Sequence, residues 1–228
     1  MAQRRVLSHF AVYGLRSSFW ELGEEQRERV STDLRASLGA TAEAVHYYHT
    51  FGTSASGDAL AWSSVVAEEP GAPAAFFCRY RVALRPFRRY VRVEHALWGL
   101  TAPSQYSRGA PERGLDPFAP RTPRYLVVYP FAKTHEWYGT SVEERRRMMS
   151  SHIRVGQEYV GVDQLLLYST GLQDHEFVVV YETDDLAVFS KLVQDLRATE
   201  ARRYTLLDTP VHVAVRGTAD DSGHGSWP

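Results

Sequence analysis

One histidine of the sequence lies where a metal ligand could lie. His152 falls in "SVEERRRMMSSHIRVGQEY", with Met148 four residues before it and Val155 and Tyr159 three and seven residues after it. On a helix these positions share one apolar face, so His152 is predicted to point inward. One imidazole suffices to ligate a haem iron, whereas zinc needs three or four ligands and no H-x-x-x-H or H-E-x-x-H spacing is present. Haem is favoured over zinc; the alternative is a neutral buried histidine bonded to backbone.

The flanking residues predict the elements that would position His152. Ser141 followed by Glu144 matches a capping box, so a helix is predicted to start near Val142. Apolar runs rich in β-branched and aromatic residues predict strands at Phe10–Leu15, Ala59–Val66, Tyr125–Phe131 and Glu176–Glu182. Helix-like segments lie between these runs, which predicts an α+β fold.

The two halves of the chain share aromatic markers. Three pairs recur at spacings of 116, 117 and 114 residues: Tyr13 and Tyr129, Trp20 and Trp137, Tyr90 and Tyr204. Such self-similarity predicts an internal duplication. The order of elements in each half is that of a ferredoxin-like unit. We therefore expect an N-terminal unit over 1–100, a connecting loop over 101–124, a C-terminal unit over 125–216 and a disordered tail over 217–228.

Composition and charge exclude several classes of protein. The 228 residues carry 26 Lys and Arg against 27 Asp and Glu, a net charge of −1, so no whole-chain charge favours nucleic acid or an anionic membrane. The single cysteine, Cys78, cannot form an internal disulfide or a cysteine-rich metal site. The N-terminal "MAQRRVLSHFAVYG" lacks the apolar run of a signal peptide or membrane span. We expect a cytoplasmic protein with no nucleic-acid or membrane partner.

Several separated segments resemble one known family. "YPFAKTHEWY", "EERRRMMSSH", "GLQDHEFVVVYETDD" and "EARRYTLLDTP" are similar to segments of the chlorite dismutase family, and most of all to its coproheme decarboxylase branch in actinobacteria. The resemblance is strong over Tyr125–Val213 and weak over the first hundred residues. It implies two ferredoxin-like units that form a dimeric α+β barrel within one chain, with haem in the C-terminal unit. It also implies a homo-oligomer, usually a pentamer.

The resemblance assigns roles to individual residues. It implies that His152 is the proximal iron ligand, that Tyr129 becomes a radical during propionate oxidation and that Lys133 lies beside the reacting propionate. The remaining matches are a pocket tryptophan, a haem-wall methionine and a propionate contact: Trp137, Met149 and Arg203. Lysine and arginine can supply charge-assisted hydrogen bonds to propionates. Tyr129 and Lys133, four apart in a strand, would share one face.

The far side of the pocket departs from the family pattern. Where the actinobacterial branch has a distal histidine, the matching position is Ala110, and no histidine occurs between His95 and His135. Gln164 falls near the glutamine that other members use. No arginine occurs between Arg154 and Arg197, which argues against chlorite dismutation. A missing distal base predicts slow reaction with peroxide.

Three hypotheses follow for the function. The first is peroxide-dependent oxidative decarboxylation of iron coproporphyrin III (coproheme) to haem b, with the porphyrin and hydrogen peroxide as partners. The second is a haem b peroxidase or oxidase that acts on a small biosynthetic substrate through the same His152. The third is a cofactor-free α+β barrel that binds a partner, with His152 as a core residue.

Overall fold

The computed structural model describes residues 4–104, 106 and 114–217. The first half contains β1 (Val6–Leu15), α1 (Ser17–Trp20), α2 (Glu24–Gly39), β2 (Ala44–His49), β3 (Ala59–Val66), α3 (Ala72–Leu84), a 3-10 turn (Arg85–Phe87) and β4 (Val91–Leu100). The second half contains β5 (Tyr125–Lys133), α4 (His135–Gly139), α5 (Val142–Gln157), β6 (Val162–Tyr168), β7 (Phe177–Thr183), α6 (Leu186–Arg197), a 3-10 helix (Glu200–Tyr204), β8 (Thr205–Leu207) and β9 (His212–Val215). Ala110 and the tail beyond Gly217 lie outside the described residues.

Each half builds one antiparallel sheet with the same strand order. The first sheet runs β4-β1-β3-β2 and the second β6-β7-β5-β9, while β8 pairs separately with β5. In both halves the first and third strands are central, as in a βαββαβ ferredoxin-like unit. The architecture is therefore α+β and agrees with a duplicated unit.

The two sheets meet at both edges. Leu100 of β4 pairs with Tyr168 of β6, and His49 of β2 pairs with Val215 of β9, so the strand pairings return to their starting point. One apolar cluster fills the space between the sheets and takes residues from both halves: Phe10, Val12, Tyr48, Leu60, Trp62, Leu97, Leu115, Leu126, Val128, Leu167, Val178, Val180 and Ala214. The opposite sheet faces carry the helices, because side chains of a strand alternate between faces.

The strand β1 begins four residues before the sequence predicts. Ser8 and His9 interrupt the apolar run there, yet both are buried, and the Ser8 hydroxyl lies 2.9 Å from that of Ser64 on β3. A polar residue that finds its partner on the next strand does not end a strand. The polar pair therefore hid the true start of β1.

The connection between the halves is fixed to both. Leu115 belongs to the shared core, and its N–H donates to the Gln164 carbonyl at 3.0 Å. Arg121 forms a buried ion pair with Glu182 at 3.0 Å, and the Tyr48 hydroxyl donates to the same carboxylate. In the part of this connection that the structure describes there is no helix or strand. These contacts hold its second part against β6 and β7.

Candidate functional site

Helix α5 presents His152 to the second sheet. The helix begins at Val142, and Ser141 and Glu144 form the predicted capping box in full. Met148 is buried, and Val155 and Tyr159 pack on the apolar cluster that covers the sheet. His152 lies on this same face and is half-buried, as its helical spacing predicts.

The hydrogen bond of His152 fixes its tautomer. Its Nδ1 lies 3.0 Å from the Thr199 hydroxyl, whose only proton is donated to the Leu196 carbonyl at 2.6 Å. Thr199 must therefore accept, and Nδ1 carries the proton. The lone pair then resides on Nε2, which has no hydrogen-bond partner among the described residues. This is the arrangement of a metal-ligating histidine whose second nitrogen is held by the protein.

His152 is neutral at physiological pH. Burial lowers the pKa of its imidazole to about 4, and the positive charge of Lys133 adds to this shift. Both causes disfavour the imidazolium ion, which has no free lone pair. The imidazole is thus available to a metal ion over a wide pH range.

Lys133 is a half-buried cation whose charge acts on His152. Its Nζ donates to the Ala201 carbonyl at 3.3 Å and lies 4.6 Å from the centre of the Trp137 ring. Burial, assisted by the charge of Arg202, lowers its pKa to about 8, while Glu176 acts in the opposite direction. The ammonium group is charged at neutral pH but has no carboxylate in a salt bridge among the described residues.

Apolar and aromatic side chains surround these two groups. Trp137 and Ala201 are buried together with Met148, and Met149, Tyr106 and Tyr204 pack against them. The predicted pocket residues Trp137 and Met149 thus belong to one cluster. Such a wall suits the faces of a flat, apolar ring system.

Tyr129 lies on the helix-facing side of β5, and alternation places Lys133 on the same side, as predicted. Its ring stacks at 6.2 Å on Tyr181 of β7, and the two hydroxyls are hydrogen-bonded. Burial raises the pKa of Tyr129 above its usual value, although the hydrogen bond from Tyr181 opposes this. The phenol is therefore neutral at physiological pH.

A half-open groove of about 420 Å³ adjoins Tyr129. Its other walls come from α6 and from the segment before β9: Phe189, Ser190, Val193, Gln194, Arg197, Asp208 and Val211. Arg197 and Arg202 both donate to Asp208 Oδ2, at 3.2 and 2.7 Å. Two guanidinium groups thus share one carboxylate oxygen beside Tyr129, which leaves an excess of positive charge there.

The remaining predicted site residues that the structure describes do not belong to the apolar cluster around Trp137. Gln164 is exposed and lies on the same face of β6 as Val162 and Leu166. Arg203 is also exposed, and its charge acts on Glu200. The arginine that acts on both Lys133 and Tyr129 is its neighbour Arg202. Ala110 lies outside the described residues, so its role stays a prediction.

Two residues that contact the site, Thr199 and Tyr181, could not be predicted from sequence motifs. Thr199 precedes a short 3-10 helix, where a threonine usually caps the helix. Its side chain makes no cap hydrogen bond, and its hydroxyl instead accepts a hydrogen bond from His152 Nδ1. Tyr181 reads as one apolar residue of a strand. Its position diagonal to Tyr129 could be found only from the pairing of Tyr129 with Val179.

The donor set fits a haem iron better than a bare metal ion. Among the described residues there is no group of three or more His, Cys, Asp or Glu side chains that could hold a metal. One imidazole with a free Nε2, an apolar wall and unpaired positive charge are together what an acidic iron porphyrin requires.

The family comparison decides the relationship. The sequence model described as "Chlorite dismutase" matches residues 24–217. The chain belongs to the chlorite dismutase family. The resemblance noted from the separated segments is thereby confirmed.

The chain is similar to two named relatives and to one solved structure. Coproheme decarboxylase of Mycolicibacterium smegmatis is 39% identical over 92 residues, which is 40% of this chain and 40% of that protein. Chlorite dismutase of Ideonella dechloratans is 28% identical over 208 residues, 87% of this chain and 72% of that protein. Chlorite dismutase from Candidatus Nitrospira defluvii in complex with imidazole gives a TM-score of 0.79 at 22% identity, over 95% of this chain and 92% of that one. The structural match supports the fold.

The match to the Mycolicibacterium smegmatis coproheme decarboxylase is local. It spans less than half of the coproheme decarboxylase it resembles, whereas the match to the chlorite dismutase is longer but weaker. No described helix of this family member is long and apolar enough to cross a membrane.

Proposed function

We propose that this protein binds an iron porphyrin through His152 and catalyses the peroxide-dependent oxidative decarboxylation of iron coproporphyrin III to haem b. The observation that carries the proposal is the His152 imidazole, with Nδ1 committed to Thr199 and the Nε2 lone pair free. The partial match to a coproheme decarboxylase supports this choice of substrate.

The charges of the site support an acidic substrate. The charge of Arg202 acts on Lys133, and Arg203 lies on the same 3-10 helix as Arg202. A propionate near Lys133 would gain a charge-assisted hydrogen bond that the free protein does not supply. Coproporphyrin, with four propionates, offers more such contacts than haem b, with two.

The bound porphyrin iron would supply the redox chemistry with peroxide. Tyr129 then gives up an electron and a proton, because burial keeps its phenol neutral. The resulting tyrosyl radical would take a hydrogen atom from a propionate, which would then lose carbon dioxide and a second electron to become a vinyl group; the two electrons removed in all reduce one hydrogen peroxide to two waters. Each vinyl group formed consumes one peroxide, and Tyr129 is restored as the phenol.

The peroxide step is expected to be slow. Gln164 can donate and accept hydrogen bonds, but its amide cannot take a proton from peroxide at neutral pH. With Ala110 at the position of the distal histidine, proton removal would fall to the solvent.

Mass spectrometry tests the proposed reaction. Purified protein is loaded with iron coproporphyrin III, titrated with hydrogen peroxide and analysed for the porphyrin products. Stepwise loss of two carboxyl groups is expected. An unchanged porphyrin mass, or oxidative bleaching alone, would contradict the proposal.

The groove beside Tyr129 favours a second candidate, a haem b peroxidase or oxidase that acts on a small molecule. A cavity of about 420 Å³ can admit a small organic reductant next to the phenol. A protein that purifies with haem b and leaves coproheme unchanged would support this candidate. The third candidate is a cofactor-free α+β barrel that binds a partner. It requires that no Soret band appear after the protein is reconstituted with the iron porphyrin.

The proposal extends to the barrel within one chain and to the oligomer. The closed order of strand pairings supports a barrel built from both ferredoxin-like units of one chain. A homopentamer is the proposed oligomer, from resemblance to the family. Light scattering coupled to gel filtration would measure its mass.

A further inference from the structure

Arg145 shares the inner face of α5 with His152. It precedes the histidine by seven residues, two turns, so the two side chains leave the helix on nearly the same side. They are separated by roughly 10 Å along the helix axis. That separation is comparable with the distance from the centre of a porphyrin to its acidic side chains.

Among the described residues, the guanidinium of Arg145 lacks a carboxylate partner such as its neighbour Arg147 has. Its Nε is buried and makes no hydrogen bond, and no ion pair of Arg145 occurs within the residues that the structure describes. By contrast, Arg147 forms a bidentate pair with Glu200 at 2.8 and 2.9 Å. A buried donor without an acceptor is costly, and a native protein that retains one calls for an explanation.

Glu176, a carboxylate that acts on Tyr138 as Arg145 does, is already engaged. Tyr138 feels the charge of Arg145, but its hydroxyl is hydrogen-bonded to Glu176. The same Glu176 carboxylate accepts the backbone N–H of Lys133 at 2.7 Å. Glu176 is therefore held between Tyr138 and β5 and leaves Arg145 without a counter-ion.

The arginine at the matching position of the first half packs on an aromatic ring. Arg27 and Arg145 are each the fourth residue of a 16-residue helix, α2 and α5. Arg27 lies over the ring of Trp20, 5.8 Å from its centre. In the second half the matching ring, Trp137, is approached by Lys133 instead. Arg145 has thus lost the partner that its counterpart keeps.

We infer that Arg145 is a binding residue for an acidic side chain of the porphyrin that His152 ligates. This rests on the proposed function, and it assigns the cationic partner on the α5 side of the site. The carboxylate would accept from the Arg145 guanidinium, and so supply the acceptor that its buried Nε lacks. A porphyrin with more carboxylates gains more from this contact.

The test compares Arg145→Gln with Arg146→Gln, an exposed neighbour on the same helix. Iron coproporphyrin III is titrated into each full-length protein and into the wild type, and binding is followed by absorbance. We expect Arg145→Gln to weaken binding about tenfold, Arg145→Lys to restore part of the loss and Arg146→Gln to bind like the wild type. The spectrum of the bound iron should not change, because His152 is retained.

Thermal unfolding of the free proteins separates binding from a structural role. Loss of an unpaired buried cation should leave the melting temperature of Arg145→Gln equal to or above that of the wild type. A lower melting temperature with unchanged porphyrin affinity would overturn the inference, as would equal losses of affinity in the Gln variants of Arg145 and Arg146. Failure of the wild type to bind the porphyrin at all would instead refute the proposed function.

Discussion

The two halves of the molecule share one plan but pack their first long helix differently. Helices α2 and α5 have the same length, and their eleventh residues are Leu34 and His152. Leu34 and Leu38 of α2 are fully buried against the first sheet. On α5 only Met148 is buried, and His152 stays half-buried. The second half thus gives up close packing at the place where a ligand would need room.

The paired tyrosines show the same contrast. Tyr13 is completely buried, and its hydroxyl lies 2.7 Å from that of Tyr80 on α3. Tyr129 has a hydroxyl partner as well, but it also borders a half-open groove whose walls include Arg197 and Asp208. A duplicated fold allows one copy to stabilise the chain while the other carries the chemistry.

Removing each tyrosine hydroxyl should separate these roles most sharply. We expect Tyr129→Phe to reduce decarboxylation of iron coproporphyrin III to the background rate while porphyrin binding persists. Tyr13→Phe should keep the activity and lose about 1–3 kcal/mol of stability, because the Tyr80 hydroxyl is left without its partner. Product mass and thermal unfolding measure the two effects. Equal activity of Tyr129→Phe and the wild type would contradict the assignment.

Thr199→Val tests how the second half holds its histidine. The variant keeps the side-chain shape but leaves the His152 Nδ1–H without an acceptor, so the tautomer is no longer fixed. A loss of roughly 10- to 100-fold in iron-porphyrin affinity is expected. Thr199→Ser retains the hydroxyl and serves as the control. If the valine and serine variants bind alike, the hydrogen bond has no part in ligation.

The pH dependence of binding tests the role of Lys133. Its pKa is about 8 in the free protein, so the ammonium is present below that pH and is lost as the pH rises through it. Affinity for iron coproporphyrin III should therefore fall several-fold between about pH 7.5 and 9.5. Lys133→Arg, whose charge persists, should remove this dependence. An equal fall in both proteins would assign it to another group.

Several features of the fold and of the site can be predicted from local patterns in the sequence. The capping box at Ser141 and Glu144, the inward face of His152 and the shared face of Tyr129 and Lys133 each depend on spacing within one element, and the structure agrees with them. The duplication was visible for the same reason, since its markers recur at nearly constant spacing.

Contacts between distant elements could not be predicted in this way. The bond between His152 and Thr199 joins a helix to a segment 47 residues away, and Arg202 rather than Arg203 lies toward Lys133 because of how one 3-10 helix turns. Neither depends on a period or a motif. Such orientations are set by tertiary packing, which a single sequence does not display.

The central claim is that His152 binds the iron of a porphyrin. An absorbance titration with iron coproporphyrin III, performed on the wild type and on His152→Leu, tests it most directly, because the leucine reproduces the residue that the first half has at this position. The account predicts a saturable histidine-ligated spectrum for the wild type and its loss in a variant that remains folded. The same spectrum and affinity in both proteins would contradict it.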